Sequence, residues 1–280
     1  MKIFTSKSGL GSYLSLKKSG GNTTVGFVPT MGALHTGHIS LVKTALDRCD
    51  IVVCSVFVNP TQFNDPADLK KYPRPIKADI AKLEVVGCHI LFAPEVEEMY
   101  NKNEKWDFDL GVIEHILEGK HRPGHYRGVT QIVKKLFDII NPHIAFFGQK
   151  DFQQFKVIEN LIERYELPVK LVMCETVRDS SGLALSSRNV YLSEVERNQA
   201  LILSTVLNKT KENFRQKTII QLKEEAIEFL NQAENFRLEY FEICNSDTLL
   251  PALTETEPGI VALVAAYVGD TRLIDNLILR

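Results

Sequence analysis

Two histidines three residues apart, His35 and His38, stand in the stretch Pro29-Thr30-Met31-Gly32-Ala33-Leu34-His35-Thr36-Gly37-His38. An imidazole donates N–H hydrogen bonds to phosphoryl oxygens, most strongly when protonated, and it titrates near working pH. The apolar run Val25-Gly26-Phe27-Val28 precedes the stretch and the helical pattern Ile39 to Leu46 follows it, so it reads as strand, loop and helix start. The first N–H groups of a helix lack internal partners and the macrodipole adds about half a positive charge there, so anions collect at that end. A helix beginning near Gly37 would let both rings point toward one anion. On these residues alone the stretch is a nucleotide site, a zinc half-site or a pair of surface histidines.

Other chemistry-bearing side chains fall just past the ends of apolar runs. Asn59 and Gln62 follow Ile51 to Val58, and Lys150 and Asp151 follow Ile144-Ala145-Phe146-Phe147. The loop Ser186-Ser187-Arg188 offers two hydroxyls and a guanidinium fork suited to polyphosphate oxygens. Each is weak by itself, because surface turns often contain such residues. Together they supply what adenylyl transfer needs: donors on the α-phosphate and cations on the departing pyrophosphate.

The elements that must position these groups alternate between strand and helix. Apolar runs at Val25–Val28, Ile51–Val58, His89–Ala93, Ile144–Phe147 and Val169–Cys174 read as strands covered on both faces of a parallel sheet. Helical patterns cover Ala78–Val86, Val129–Ile140 and Phe152–Tyr165, and the crossovers between strands should be right-handed. Thr61 to Pro75, with four prolines when Pro60 is counted, reads as one long loop. In such sheets the carboxyl ends of the strands form the ligand crevice, which is where the polar clusters fall. Past about Thr176 a polar loop leads into two long helical patterns, Ser193–Arg215 and Thr218–Glu234. Ser193 and Glu196 there make a candidate capping box. Strands near Leu238–Ile243, Ile260–Tyr267 and Arg272–Leu279 finish the chain. The fold class is therefore α/β: a Rossmann-like parallel sheet domain over 1–176 and a smaller C-terminal α+β domain over 177–280.

Composition narrows the partners. The chain has 280 residues and a net charge of −2 without an extended basic stretch, so nothing favours a general nucleic-acid surface. No run approaches the roughly 18 apolar residues of a membrane span, and the N-terminus lacks the apolar core of a signal peptide. The five cysteines, Cys49, Cys54, Cys88, Cys174 and Cys244, are widely spaced and read as buried thiols in a reducing cytoplasm.

The Met31–His38 stretch resembles the H-x-G-H signature of nucleotidyltransferases and class I aminoacyl-tRNA synthetases. The full set of motifs is similar to the pantothenate synthetase (pantoate–β-alanine ligase) family. The matching pieces are Pro29–His38, Val56–Phe63, Tyr72-Pro73-Arg74, Arg122–Val129, Phe147–Gln154, Gly182–Asn189 and Thr271–Asn276, in family order along nearly the whole chain. The resemblance implies a cytoplasmic homodimer that acts on ATP, pantoate and β-alanine with Mg²⁺, and neither nucleic acid nor membrane as partner. Pantoate is adenylated first, with loss of pyrophosphate, and β-alanine then displaces AMP.

Carried over residue by residue, the resemblance assigns ATP to Met31, Gly32, Ala33, Leu34, His35, Thr36, Gly37 and His38, to Gly148, Gln149, Lys150 and Asp151, and to Val177, Leu185, Ser186, Ser187 and Arg188. His38, His35, Lys150 and Arg188 are its catalytic set. Gln62 and Gln154 would hold pantoate, Gln62 also β-alanine, with Asn59 and Tyr72 in support. Gln149 stands where the family often has Glu, and Ala78 where many members have an acid before Asp79, the residue assigned to Mg²⁺. The loop Ser180–Asn189 is expected to be ordered by phosphate contacts rather than by burial. The alternatives are another H-x-G-H adenylyltransferase, which would not need the Gln62 and Gln154 pair, or a non-catalytic nucleotide-binding protein.

Overall fold

The structure, a computed structural model, describes residues 1–102 and 104–280. The chain divides into two compact units, Met1–Gly148 with Gln153–Glu175, and Gln149–Phe152 with Thr176–Arg280. The four residues Gln149–Phe152 thus group with the second unit although their chain neighbours belong to the first.

In the first unit β1 (Lys2–Phe4) and α1 (Lys7–Lys18) precede β2 (Val25–Thr30), α2 (Thr36–Leu46) and β3 (Ile51–Val56). The chain continues through α3 (Pro66–Lys71), α4 (Ile76–Val86), β4 (Ile90–Phe92), α5 (Val96–Met99), α6 (Leu117–His121) and α7 (His125–Ile140). It then forms β5 (Ile144–Gly148), α8 (Phe152–Arg164) and β6 (Lys170–Cys174). The strands make a parallel sheet in the order β1-β4-β3-β2-β5-β6. Successive side chains on a strand point to opposite faces. Phe27 and Val53 accordingly pack with α1, α7 and α8, whereas Val28, Val52 and Cys54 pack with α2 and α4. Burial on both faces is why these strands are apolar at almost every position.

From β2 the sheet grows toward β3 and β4, and β5 adds on the other side, so the order reverses between β2 and β5. That reversal marks the ligand crevice of an open α/β sheet. Pairing of β2 with β5 covers only Gly26 and Phe27, while β2 runs on to Thr30 against β3. The histidine loop leaves β2 at this edge.

The structure differs from the sequence reading in several elements. The N-terminal β1 and α1 carry too short an apolar pattern to be read from sequence; β1 is three residues long and mostly exposed. The stretch expected as one long loop contains a 3-10 turn at Pro60–Gln62 and the helix α3. Asp65 caps that helix, its side chain accepting from Ala67 N–H at 2.8 Å, and Pro66 occupies the first helical position, where a missing N–H costs nothing. Helix α4 starts at Ile76 rather than Ala78.

In the second unit α9 (Glu194–Asn213) and α10 (Ile219–Asn231) precede an antiparallel sheet of β7 (Phe236–Asn245), β8 (Ile260–Val268) and β9 (Thr271–Ile278), in that spatial order. The Ser193–Glu196 capping box forms: Glu196 N–H donates to Ser193 Oγ at 3.3 Å and Ser193 N–H to Glu196 Oε2 at 2.8 Å. Both helices are shorter than expected. Leu203, Leu207, Leu222 and Leu230 pack on Phe241, Ile243 and the buried β8 to form a core of its own. Among the described residues, no helix is long and apolar enough to cross a membrane.

Candidate active site

The loop after β2 is fastened by three side chains of the first unit. Thr30 Oγ1 donates to Ser55 O (2.6 Å) and accepts from Gly32 N–H (3.2 Å). Asp79, only 1% exposed, accepts from Ala33 N–H at Oδ2 (2.9 Å) and from Leu34 N–H at Oδ1 (2.8 Å). Lys82 Nζ donates to Leu34 O. Three successive N–H groups converge on protein acceptors because Gly32 and Ala33 both adopt positive φ, +82° and +49°. A Cβ on Gly32 would come within 2.9 Å of Val56 Cγ1 and 3.1 Å of Asp79 Oδ2, so only glycine fits there.

The two histidines cap helix α2. His35 is the N-cap residue; its Nδ1 accepts from Gly37 N–H (3.2 Å), and His38 Nδ1 accepts from His35 N–H (3.3 Å). This is a capping box built from imidazoles, with ring centroids 3.9 Å apart. Of the first N–H groups of the helix, that of Gly37 therefore already has a ring nitrogen as acceptor. A neutral ring that accepts at Nδ1 carries its hydrogen on Nε2. The cap therefore fixes the tautomer of both rings and presents each as an Nε2–H donor at the positive end of the helix.

The amide pair on the other side of the strand ends is equally constrained. Asn59 Nδ2 donates to Gln62 Oε1 (3.1 Å) and to Gly128 O (3.0 Å). Asn59 Oδ1 accepts from Tyr100 Oη (2.6 Å) and Thr61 Oγ1 (3.1 Å). Burial pushes the Tyr100 hydroxyl up to about 12, so it stays a donor. Every hydrogen-bonding position of Asn59 is used, and that fixes Gln62 Oε1. Gln62, 6% exposed, turns its Nε2 to the thioether of Met31 at 3.0 Å, a weak acceptor.

Two residues of the 122–129 stretch, unassigned from sequence, support this turn. His125 Nδ1 lies 2.8 Å from Gln62 O and His125 Nε2 lies 3.1 Å from Arg122 Nη1. A carbonyl only accepts and a guanidinium only donates, so His125 is the Nδ1–H tautomer, opposite to His35 and His38. A Cβ on Gly128 would come within 2.4 Å of Thr61 O and 2.5 Å of Gln62 N, so glycine alone lets α7 approach the turn. Tyr72 is buried and packs edge-on against Phe63, with centroids 5.6 Å apart. Gln154 is half-buried, whereas its neighbour Gln153 is buried. Gln153 ties Glu118 N–H, Ile113 O and Ile116 O at 2.8 to 2.9 Å, an internal task that sequence did not separate from that of Gln154.

Lys150 and Arg188 lie in the second unit. Lys150 is half-buried in a 3-10 turn, Gln149–Asp151, that follows Gly148 in the chain. Val177 and Leu185 face each other at the base of a hairpin, Leu185 N–H donating to Val177 O at 3.0 Å. Asp179 Oδ1 accepts from Ser181 N–H, Ser181 Oγ and Leu183 N–H, and the Ser181 hydroxyl chiefly holds its carboxyl below the usual range. Asn189, 5% exposed, donates to Ala184 O at 3.1 Å, and Ser186 Oγ accepts from Arg188 N–H at 3.2 Å. Ser180–Asn189, expected to be ordered by phosphate contacts rather than by burial, is a hairpin and a 3-10 turn with hydrogen bonds of its own. Ser187 and Arg188 begin that turn.

Among the described residues, no group of three or more His, Cys, Asp or Glu is placed to hold a metal ion. Asp79, assigned to Mg²⁺ by resemblance, has both oxygens engaged by loop N–H groups and offers no open coordination face. Mg²⁺ keeps most of its shell as water and substrate phosphate oxygen and takes few protein carboxylates, and the buried Asp79 is spent on the loop. The five cysteines are buried and unpaired. Burial raises the Cys88 thiol to about 11 and that of Cys244 to about 12, which keeps them protonated.

The family model described as pantoate-beta-alanine ligase matches residues 2–278. A pantothenate synthetase from Porphyromonas gingivalis is 44% identical over 279 residues, covering 99% of each chain. The crystal structure of pantothenate synthetase from Thermus thermophilus superposes with a TM-score of 0.93 at 39% identity, over 100% of this chain and 99% of that one. A pantoate-beta-alanine ligase from Francisella tularensis, crystallised with beta-gamma ATP and beta-alanine, gives a TM-score of 0.79 at 35% identity, over 100% of this chain and 98% of that one.

Proposed function

The chain belongs to the pantoate–β-alanine ligase family, and we propose from its side chains how it performs that reaction. The activity is the ATP-dependent condensation of (R)-pantoate with β-alanine to pantothenate, AMP and pyrophosphate through a pantoyl adenylate. A pantoate carboxylate oxygen attacks the α-phosphorus, and the bond to the bridging oxygen breaks as pyrophosphate leaves. The amine of β-alanine then attacks the acyl carbon, the acyl C–O bond breaks, AMP leaves and the amine gives up a proton.

The observation that carries the residue assignments is the histidine cap of α2. Its two Nε2–H donors, their tautomers set by the cap, are suited to the non-bridging α-phosphate oxygens, where charge grows during attack. Met31 to Leu34 and Thr36 to Gly37 shape the nucleotide site through the fastened loop. Gln62 exchanges a weak thioether acceptor for a pantoate oxygen, which is a gain in hydrogen bonding on binding. Gln154 supplies the second amide, and Asn59 and Tyr72 keep Gln62 and its surroundings in place. Lys150 and Arg188, with Ser186 and Ser187, serve the β- and γ-phosphates, and Gly148, Gln149, Asp151, Val177 and Leu185 border the nucleotide.

Mg²⁺ enters as part of the substrate MgATP rather than in a site made by Asp79. The β-alanine complex of the Francisella relative supports placing the second substrate in the same family site. Buried, protonated thiols support a reducing cytoplasm as the compartment. The family resemblance supports a homodimer that acts on small molecules, with no nucleic-acid or membrane partner.

The test is product stoichiometry. Purified protein given ATP, pantoate and β-alanine should form pantothenate, AMP and pyrophosphate in equal amounts. Formation of ADP and phosphate instead would contradict an adenylate intermediate.

A further inference from the structure

The turn that carries Lys150 is held from β9. Asn276, 1% exposed, donates from Nδ2 to Gln149 O and to Lys150 O, both at 2.9 Å. Its Oδ1 accepts from Gln149 Nε2 at 3.1 Å. Rotating the amide by half a turn would set its oxygen against two carbonyl oxygens, so the three bonds define one orientation. All of these residues lie in the second unit.

The residue before it extends the same network. Asp275, 3% exposed, accepts Asn276 N–H at 2.8 Å and a two-pronged contact from Arg178, Nη1 at 2.6 Å and Nη2 at 2.9 Å. Arg178 also donates to Gly182 O, inside the hairpin that leads to Ser186–Arg188. Adjacent residues of β9 thus fasten both segments that carry the phosphate-directed cations, Lys150 and Arg188. Gln149 gains a role here as well. In place of a carboxylate, it contributes an N–H that Asn276 Oδ1 can accept.

Resting on the ligase reading for what Lys150 does, we propose that Asn276 is a positioning residue for Lys150, fixing the 3-10 turn so that the ammonium is aimed when nucleotide binds. Its effect passes through the backbone carbonyls of Gln149 and Lys150. Alanine leaves both carbonyls without their donor. Aspartate keeps the shape but turns an oxygen toward at least one carbonyl, so it should fail as badly as alanine. Serine can restore one donor and should recover part of the loss.

The experiment uses the full chain and two readouts. Single-turnover pyrophosphate release should fall about 10- to 100-fold in Asn276→Ala and Asn276→Asp, the scale of a roughly 1 Å misplacement of a catalytic group. In a Lys150→Ala background the same Asn276→Ala change should alter that rate by less than about twofold, because the group it positions is gone. Hydrogen exchange of a peptide spanning 149–152, and the acetylation rate of Lys150 read by mass spectrometry, report on the turn independently of any reaction. Both should change in Asn276→Ala while exchange in α10 stays at wild-type values. Faster exchange at 149–152 in Asn276→Ala, with no pantoate-dependent pyrophosphate release from the wild type, would uphold the positioning and fail the ligase reading. A wild-type rate in Asn276→Asp, additive losses in the double variant, or unchanged exchange at 149–152 would overturn the proposal.

Discussion

Replacing Asp79 separates a loop anchor from a metal ligand. The carboxylate receives the N–H groups of Ala33 and Leu34 at 2.9 and 2.8 Å and is 1% exposed, so water cannot replace it without rearrangement. A buried donor left unpaired costs about 1–3 kcal/mol, and the buried Leu34 N–H is one, so Asp79→Ala should destabilise the protein by at least about 1–3 kcal/mol, with a smaller addition from the part-buried Ala33 N–H. Against a typical total of about 5–15 kcal/mol that change threatens the fold itself, which makes Asp79→Asn the sharper probe. Asparagine keeps one oxygen for one N–H and turns an NH₂ toward the other, an expected loss of about 1–3 kcal/mol. Gly32 and Ala33 would then relax from positive φ, and the helix cap beyond them would lose its fixed start. Hydrogen exchange of a peptide covering 31–38 should rise in Asp79→Asn, and adenylation should fall at every Mg²⁺ concentration. Unchanged protection of that peptide, together with a rate restored by raising Mg²⁺, would refute the anchor and return Asp79 to the metal.

Other substitutions test the remaining assignments. His35→Ala and His38→Ala should each slow adenylate formation by about 10²–10³, the typical loss for one donor to transition-state charge, with single-turnover pyrophosphate release as the measure. Gln62→Ala and Gln154→Ala should weaken pantoate kinetics by about 1–3 kcal/mol for each polar group left unpaired, read in pantoate KM or in kcat/KM of the first half-reaction. Arg188→Ala should slow adenylation far more than the attack of β-alanine on preformed adenylate, because the guanidinium is assigned to the leaving pyrophosphate. Equal losses in both half-reactions would make Arg188 a support of the 3-10 turn.

What sequence could and could not reveal follows from distance along the chain. Strands β2, β3 and β5 were legible because burial on both faces leaves an apolar run with nothing to confuse it. The Ser193–Glu196 box was legible because its partners are three residues apart. The histidine cap uses the same spacing. Its residue types point to anion chemistry, however, so the rings' service as acceptors for Gly37 and His35 N–H was hidden. Asp79 reaches 45 and 46 residues back, and Asn276 126 and 127 residues back, and no local pattern encodes such pairings. Helix α3 did leave a local signal, Asp65 before Pro66, but four prolines in the surrounding stretch obscured it. His125 and Gly128 lay in a quoted motif without a task, since the turn they support at Thr61 and Gln62 lies more than sixty residues earlier.

In the proposed reaction an adenylate forms before β-alanine takes part. Pyrophosphate release from ATP in a single turnover, measured with pantoate alone, with β-alanine alone and with both, tests it most directly. One equivalent of pyrophosphate is expected with pantoate alone, none with β-alanine alone, and AMP released with pantothenate only when both are present. Pyrophosphate release that requires β-alanine, or that proceeds without pantoate, would contradict it.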